Sequence, residues 1–142
     1  MDLDSLASSL RATVSALRKR LRKQSYSIDT YSMTEITTIS LLYKEGPLLP
    51  SELAARTKVK PQSMSQILNK IEKQGIIKRT PSKEDGRKTY ISLTVSGKEI
   101  VEHTRYERDE WLAETIATTL TEKEKDILKE AIVILNKLAE AE

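Results

Sequence analysis

Cysteine and phenylalanine are absent from this chain, and glycine and proline occur four times each. Without cysteine there is no disulfide, no thiolate redox sensor and no cysteine-ligated zinc. A lone histidine, His103, leaves little for a histidine metal site or a His-paired nucleophile. Its setting, Val101-Glu102-His103-Thr104-Arg105, is a charged helical stretch that suits an exposed or bridging histidine better than a ligand. Four dispersed glycines cannot supply a phosphate-cradling loop. The carboxylates read as helix-face charges, with nothing to pair them across a cleft. No enzyme, metal or cofactor is therefore expected. No apolar run approaches the ~18 residues of a membrane span. The acidic start, Met1-Asp2-Leu3-Asp4, lacks the basic-then-apolar pattern of a secretory signal. These absences lead to the expectation of a cytoplasmic protein with no membrane partner. One tryptophan and five tyrosines are the only aromatics, so the core must come from Leu, Ile and Val.

Charge is abundant and unevenly placed. Residues 11–23 carry Arg11, Arg18, Lys19, Arg20, Arg22 and Lys23 and no acid. Residues 56–88 carry ten basic side chains against three acidic, whereas residues 99–142 carry six against twelve. A basic middle on an acidic scaffold suggests a polyanion-binding surface, although ordinary solvated helix faces would give the same tally. All glycines and prolines lie between Gly46 and Gly97. Long uninterrupted helices are expected at both ends, with short elements between them.

In the first flank Leu3, Leu6, Leu10, Leu17 and Leu21 recur close to a heptad, with Val14 beside them. In the last flank Leu128, Ala131, Leu135 and Leu138 do the same, beside Ile127, Ile132 and Ile134. Thr121 and Glu124 form a capping box ahead of that helix. Another long helix is expected from about Val95 to Ala117, with Thr94 as its N-cap. These stripes are long for so small a central unit, and a second chain is the economical way to bury them. The expected homodimer seam comprises Leu6, Leu10, Leu17, Trp111, Ile116, Leu128, Leu135 and Leu138. Three segments follow: an N-terminal dimerisation helix (1–31), a central domain (32–94) and C-terminal dimerisation helices (95–142).

The central domain opens with a capping box, Ser32-Met33-Thr34-Glu35, and a helix placing Ile36, Ile39 and Leu42 inward. Gly46 ends it and Pro47 prevents a restart. Pro50 to Arg56 reads as a two-turn helix, Thr57 to Lys60 as a turn, and Pro61 as the first residue of a helix running to Gln74. That is a helix-turn-helix, with Ala54 and Ala55 small enough for close approach. On the second helix Met64, Ile67, Leu68 and Ile71 share one face. The other presents Gln62, Ser63, Ser65, Gln66, Asn69, Lys70 and Lys73, donors and acceptors suited to a major groove. A polar solvent face would look alike in a lone helix. The next elements change the balance. Ile76–Thr80 and Lys88–Leu93 read as a hairpin around an Asp85-Gly86 turn, with Lys83, Arg87 and Lys88 near its tip. An arginine there suits a narrow minor groove. The fold class is mainly α with a small β-hairpin wing (α+β), a winged helix-turn-helix carrying long terminal dimerisation helices. The alternative function is a winged helix used for protein contacts without DNA.

Gly75-Ile76-Ile77-Lys78-Arg79, Asp85-Gly86-Arg87-Lys88 and Leu93-Thr94-Val95-Ser96-Gly97, with Leu53-Ala54-Ala55 and Val59, resemble the MarR family of transcription regulators. The resemblance covers Ser32 to Glu102 by motif and the flanks by helix layout. It implies a homodimeric repressor with two recognition helices on a pseudo-palindromic operator in double-stranded DNA. It implies Arg87 in the minor groove, with Asp85 orienting the wing, and release by a small aromatic or anionic effector. Lys58 and Lys60 join the helix and wing residues above as DNA contacts. Lys58 stands where the family often has glycine. Tyr26, Tyr31, Met33, Tyr43 and Tyr106 are the candidate effector-pocket residues, although ordinary packing explains each of them as well.

Overall fold

The computed structural model describes residues 1–24 and 30–142. Among the described residues, six helices and one hairpin follow in the order α1 (Leu3–Arg22), α2 (Met33–Glu45), α3 (Pro50–Thr57), α4 (Pro61–Lys73), β1 (Ile77–Pro81), β2 (Thr89–Leu93), α5 (Val95–Thr119) and α6 (Glu122–Glu140). The chain forms two compact units. One holds Ser25–Tyr106; the other joins Met1–Gln24 to Glu107–Glu142.

The first unit is built on the apolar faces of short elements. Leu53, Leu68, Ile71, Ile76 and Ile91 are fully buried, with Met64, Ile39, Leu42, Ile77 and Leu93 packed around them. Burying each such side chain contributes about 1.5–3 kcal/mol, which is how so small a unit holds its shape. Both oxygens of the capping box at α2 are engaged: the Glu35 N–H donates to Ser32 Oγ (3.2 Å) and the Ser32 N–H to Glu35 Oε2 (3.0 Å). The hairpin is antiparallel, pairing Ile77 with Leu93 and Arg79 with Ile91. Leu48 adds a short third rung, since its N–H donates to the Ile91 carbonyl (3.0 Å) and the Ile91 N–H to its own (2.8 Å).

The start of α5 belongs to this unit, and three residues make the junction. Leu93 is core. Thr94 caps α5 by accepting from the Gly97 N–H (3.0 Å), and its own N–H donates to the Ile76 carbonyl (2.9 Å). Gly97 lies so close that a Cβ there would sit 2.2 Å from that carbonyl oxygen. The compact unit therefore extends past residue 94 into α5, where Ile100 and Val101 lie against the core.

The second unit has a different character. Asp2 caps α1 by accepting from the Ser5 N–H (2.8 Å), and Thr121 and Glu124 form the expected box at α6. Within one chain no residue of α1 or α6 is buried. The Arg20 guanidinium lies 5.4 Å from the centre of the Trp111 ring. Arg108 is held below the ordinary arginine range, first by burial and then by the neighbouring charges of Arg22 and Arg18.

Candidate nucleic-acid interface

The helix-turn-helix is set by one sharp reversal between α3 and α4. Lys58 adopts φ 57° and ψ 41°, the left-handed conformation that closes α3. The Val59 N–H donates to the Ala54 carbonyl (3.0 Å), and the Val59 side chain lies against the core. Pro61 follows at the first position of α4, where a missing N–H costs nothing. Ala54 is buried, as a close helix pair requires, but Ala55 is exposed. The expectation that both alanines serve the contact is corrected. At about 100° per residue, the buried stripe of α3 takes in Leu53 and Ala54, and Ala55 is turned past its edge.

On α4, Met64, Leu68 and Ile71 are buried and Gln62, Ser63, Ser65, Gln66, Asn69, Lys70 and Lys73 are exposed. The polar face expected from the sequence thus stands clear of the core. Two of its members are already engaged within the unit. Lys70 Nζ donates to Glu35 Oε1 on α2 at 2.7 Å. Asn69 Oδ1 accepts from Arg79 Nη2 on β1 at 2.9 Å, and Arg79 Nε donates to Glu72 Oε1 at 3.1 Å. Sequence reasoning missed Glu35 and Arg79. In the sequence Glu35 reads as a capping residue and Arg79 as a strand residue, and nothing in their spacing points to α4.

The wing tip is organised by one carboxylate. Asp85 Oδ1 accepts from the Arg87 N–H (3.0 Å) and from Arg87 Nε (3.2 Å). The Asp85 carbonyl accepts from the Lys88 N–H (3.0 Å), and Ser82 Oγ accepts from the N–H groups of Glu84 and Asp85. The turn is thereby closed while 92% of the Arg87 side chain remains exposed. Lys83 and Lys88 are exposed beside it, as are Lys58 and Lys60 at the helix-turn-helix. Apart from the half-buried Asp85, every residue named for DNA contact is on the surface of this one unit.

The remaining sites are less concentrated. Tyr31 and Tyr43 lie against the apolar core, whereas Met33 and Tyr106 are exposed; Tyr26 lies outside the described residues. The Tyr43 ring is covered by Arg105 at 4.4 Å, and its hydroxyl donates to Glu102 Oε1 at 3.3 Å. Leu6, Leu17, Leu135 and Leu138 are exposed within one chain, and Leu10, Trp111, Ile116 and Leu128 are half-buried.

A MarR family model matches residues 31–88, the segment from the start of α2 to the wing tip. An HTH-type transcriptional regulator of Mycobacterium bovis is 37% identical over 126 residues, covering 89% of this chain and 87% of that protein. The chain belongs to the MarR family. It is a winged-helix, DNA-binding transcriptional regulator and not an enzyme. The crystal structure of a transcriptional regulator from Pseudomonas aeruginosa shares the MarR-type fold. Its TM-score is 0.80 at 27% identity, with 97% of this chain and 95% of that one covered. A mutant of S. aureus MepR, solved bound to an oligodeoxyribonucleotide, has a TM-score of 0.70 at 21% identity over 94% and 97% of the two chains. Among the described residues, no helix is long and apolar enough to cross a membrane.

Proposed function

We propose that this MarR-family regulator is a sequence-specific repressor that binds double-stranded DNA as a homodimer on a pseudo-palindromic operator. The observation that carries the reading is the exposed polar face of α4 beside a wing whose arginine projects from an ordered turn. Gln62, Ser63 and Gln66 are the base readers; Lys58, Lys60 and Lys73 hold phosphates; Arg87 enters the minor groove with Lys83 and Lys88 beside it. That a neighbour of the same fold was solved with an oligodeoxyribonucleotide supports DNA as the partner. Dimerisation is supported by the apolar surface that one chain leaves open: Leu6, Val14 and Leu17 on α1, and Ile127, Ile134, Leu135 and Leu138 on α6. A dimer covering a promoter duplex would close it to other proteins, which is the action of a repressor. Release by a small aromatic or anionic effector belongs to the same reading, with Tyr31 and Tyr43 the aromatic residues best placed at the core's edge.

The test is enrichment of duplexes from a random-sequence pool. The expected result is an inverted repeat with half-sites about 10 base pairs apart, the spacing of successive major grooves on one side of the duplex. Enrichment of single, unrepeated sites would contradict the dimer. A pool that emerges unchanged would leave only the protein-contact use of the winged helix.

A further inference from the structure

The recognition helix is gripped at both margins of its outward face. At about 100° per residue, Gln62, Gln66, Asn69 and Lys73 project within about 60° of one another around α4, whereas Lys70 and Glu72 lie on either side of that sector, beside the buried Met64, Leu68 and Ile71. Lys70 reaches α2 through Glu35, and Glu72 reaches β1 through Arg79. The two edges of the helix are thus tied to the two elements that frame it.

The Glu35 side of this grip is unusual for a surface pair. The Glu35 side chain is only 6% exposed, whereas that of Lys70 is 51% exposed. One Glu35 oxygen accepts from the Ser32 N–H and the other from Lys70 Nζ. A buried carboxylate stripped of its cation is strongly unfavourable. A DNA phosphate that drew Lys70 off Glu35 would leave that carboxylate buried without its cation. The second grip also fixes chemistry. Arginine has donors only, so the Asn69 group facing Arg79 must be its carbonyl, and the amide NH₂ is turned away from it. Asn69 then offers donors to a groove and is poorly set to make the paired donor–acceptor contact that reads adenine.

We propose that Glu35 is a positioning residue for sequence reading. Paired with Lys70 it fixes the pitch of α4, and Lys70 serves as the anchor of that helix rather than as a phosphate contact. The proposal rests on the DNA-binding reading above. It predicts that the pair acts on discrimination between bases and leaves the count of neutralised phosphates alone.

The experiment uses the duplex that the wild-type protein enriches and the same duplex carrying one base change in each half-site. Affinities are measured for wild type, Lys70→Met, Lys70→Arg, Glu35→Gln and the Glu35→Gln/Lys70→Met double variant at several salt concentrations, with thermal unfolding alongside. In Lys70→Met the preference for the enriched duplex should fall about tenfold, within the usual cost of a misread base pair, while the slope of log affinity against log salt stays at the wild-type value. Lys70→Arg should restore the preference, because it keeps a cation for Glu35. The double variant should be no worse than the worse single variant, as expected of two groups that act as one. A slope flattened by about two units per dimer in Lys70→Met would show a phosphate contact and overturn the proposal. Unchanged preference in Lys70→Met would overturn it equally. If Glu35→Gln does not fold, Lys70→Met still decides, because it changes a half-exposed side chain. Failure of the wild-type protein to enrich any duplex would overturn the DNA-binding reading itself, a result distinct from either of those.

Discussion

Lys58 is the non-glycine residue with positive φ among those described, and the helix-turn-helix depends on it. A left-handed residue with a Cβ costs about 1–2 kcal/mol, and part of that returns if glycine replaces it, less the entropy glycine adds to the unfolded chain. Lys58→Gly should therefore raise stability by about 0.5–1 kcal/mol in urea melts. It should also flatten the salt dependence of DNA binding by about two units per dimer, through loss of a phosphate contact in each protomer. Lys58→Ala separates the two effects, since it removes the charge and keeps the strain. A Lys58→Gly variant less stable than Lys58→Ala would contradict this account of the turn. The residue was conspicuous in the sequence because it stands where the family often has glycine. The Lys70–Glu35 and Arg79–Asn69 contacts were not conspicuous, because they join residues 35 and 10 positions apart whose local roles were already accounted for.

The order of the short elements was legible because glycine, proline and capping residues mark their ends between Gly46 and Gly97. Both capping boxes expected from the sequence form, at Ser32–Glu35 and Thr121–Glu124. The first strand was expected at Ile76–Thr80 and runs Ile77–Pro81. Ile76 is occupied elsewhere: its N–H closes α4 on the Ile71 carbonyl, and its carbonyl receives the Thr94 N–H. The Leu48 rung was not legible, since two residues between prolines carry no alternation to reveal a strand. Pro50 does favour an extended backbone just before it, which fits the short pairing. The junction into α5 gives the sharpest test at this scale. Gly97→Ala would press a methyl group onto the Ile76 carbonyl, and backbone must move to admit it. Stability should fall by about 1–3 kcal/mol, read as a lower urea midpoint. A midpoint equal to wild type would mean that α5 can shift freely against β1.

At the scale of the molecule, one unit is a packed winged helix with its core inside a single chain, and the other leaves Leu, Ile and Val open on α1 and α6. The heptad-like stripes were legible in the sequence, but the surface that covers them is not present in one chain. Replacing both Leu128 and Leu135 with Asp would place two charges per chain in the proposed seam, at several kcal/mol each unless they reach water. Sedimentation should show the variant as a monomer where the wild type is a dimer at micromolar concentration. A monomeric wild type would contradict the proposed assembly.

The central claim is that this regulator reads duplex DNA with two recognition helices and two arginine-tipped wings, and a fluorescence-anisotropy titration of the enriched duplex at several salt concentrations tests it most directly, with Arg87→Ala as the partner measurement. The wild type should prefer the enriched duplex over a scrambled one by at least about a thousandfold. Arg87→Ala should bind much more weakly, with thermal stability unchanged and a salt slope flatter by about two units per dimer. Equal affinity for enriched and scrambled duplexes, or an Arg87→Ala variant with the wild-type affinity and slope, would contradict it.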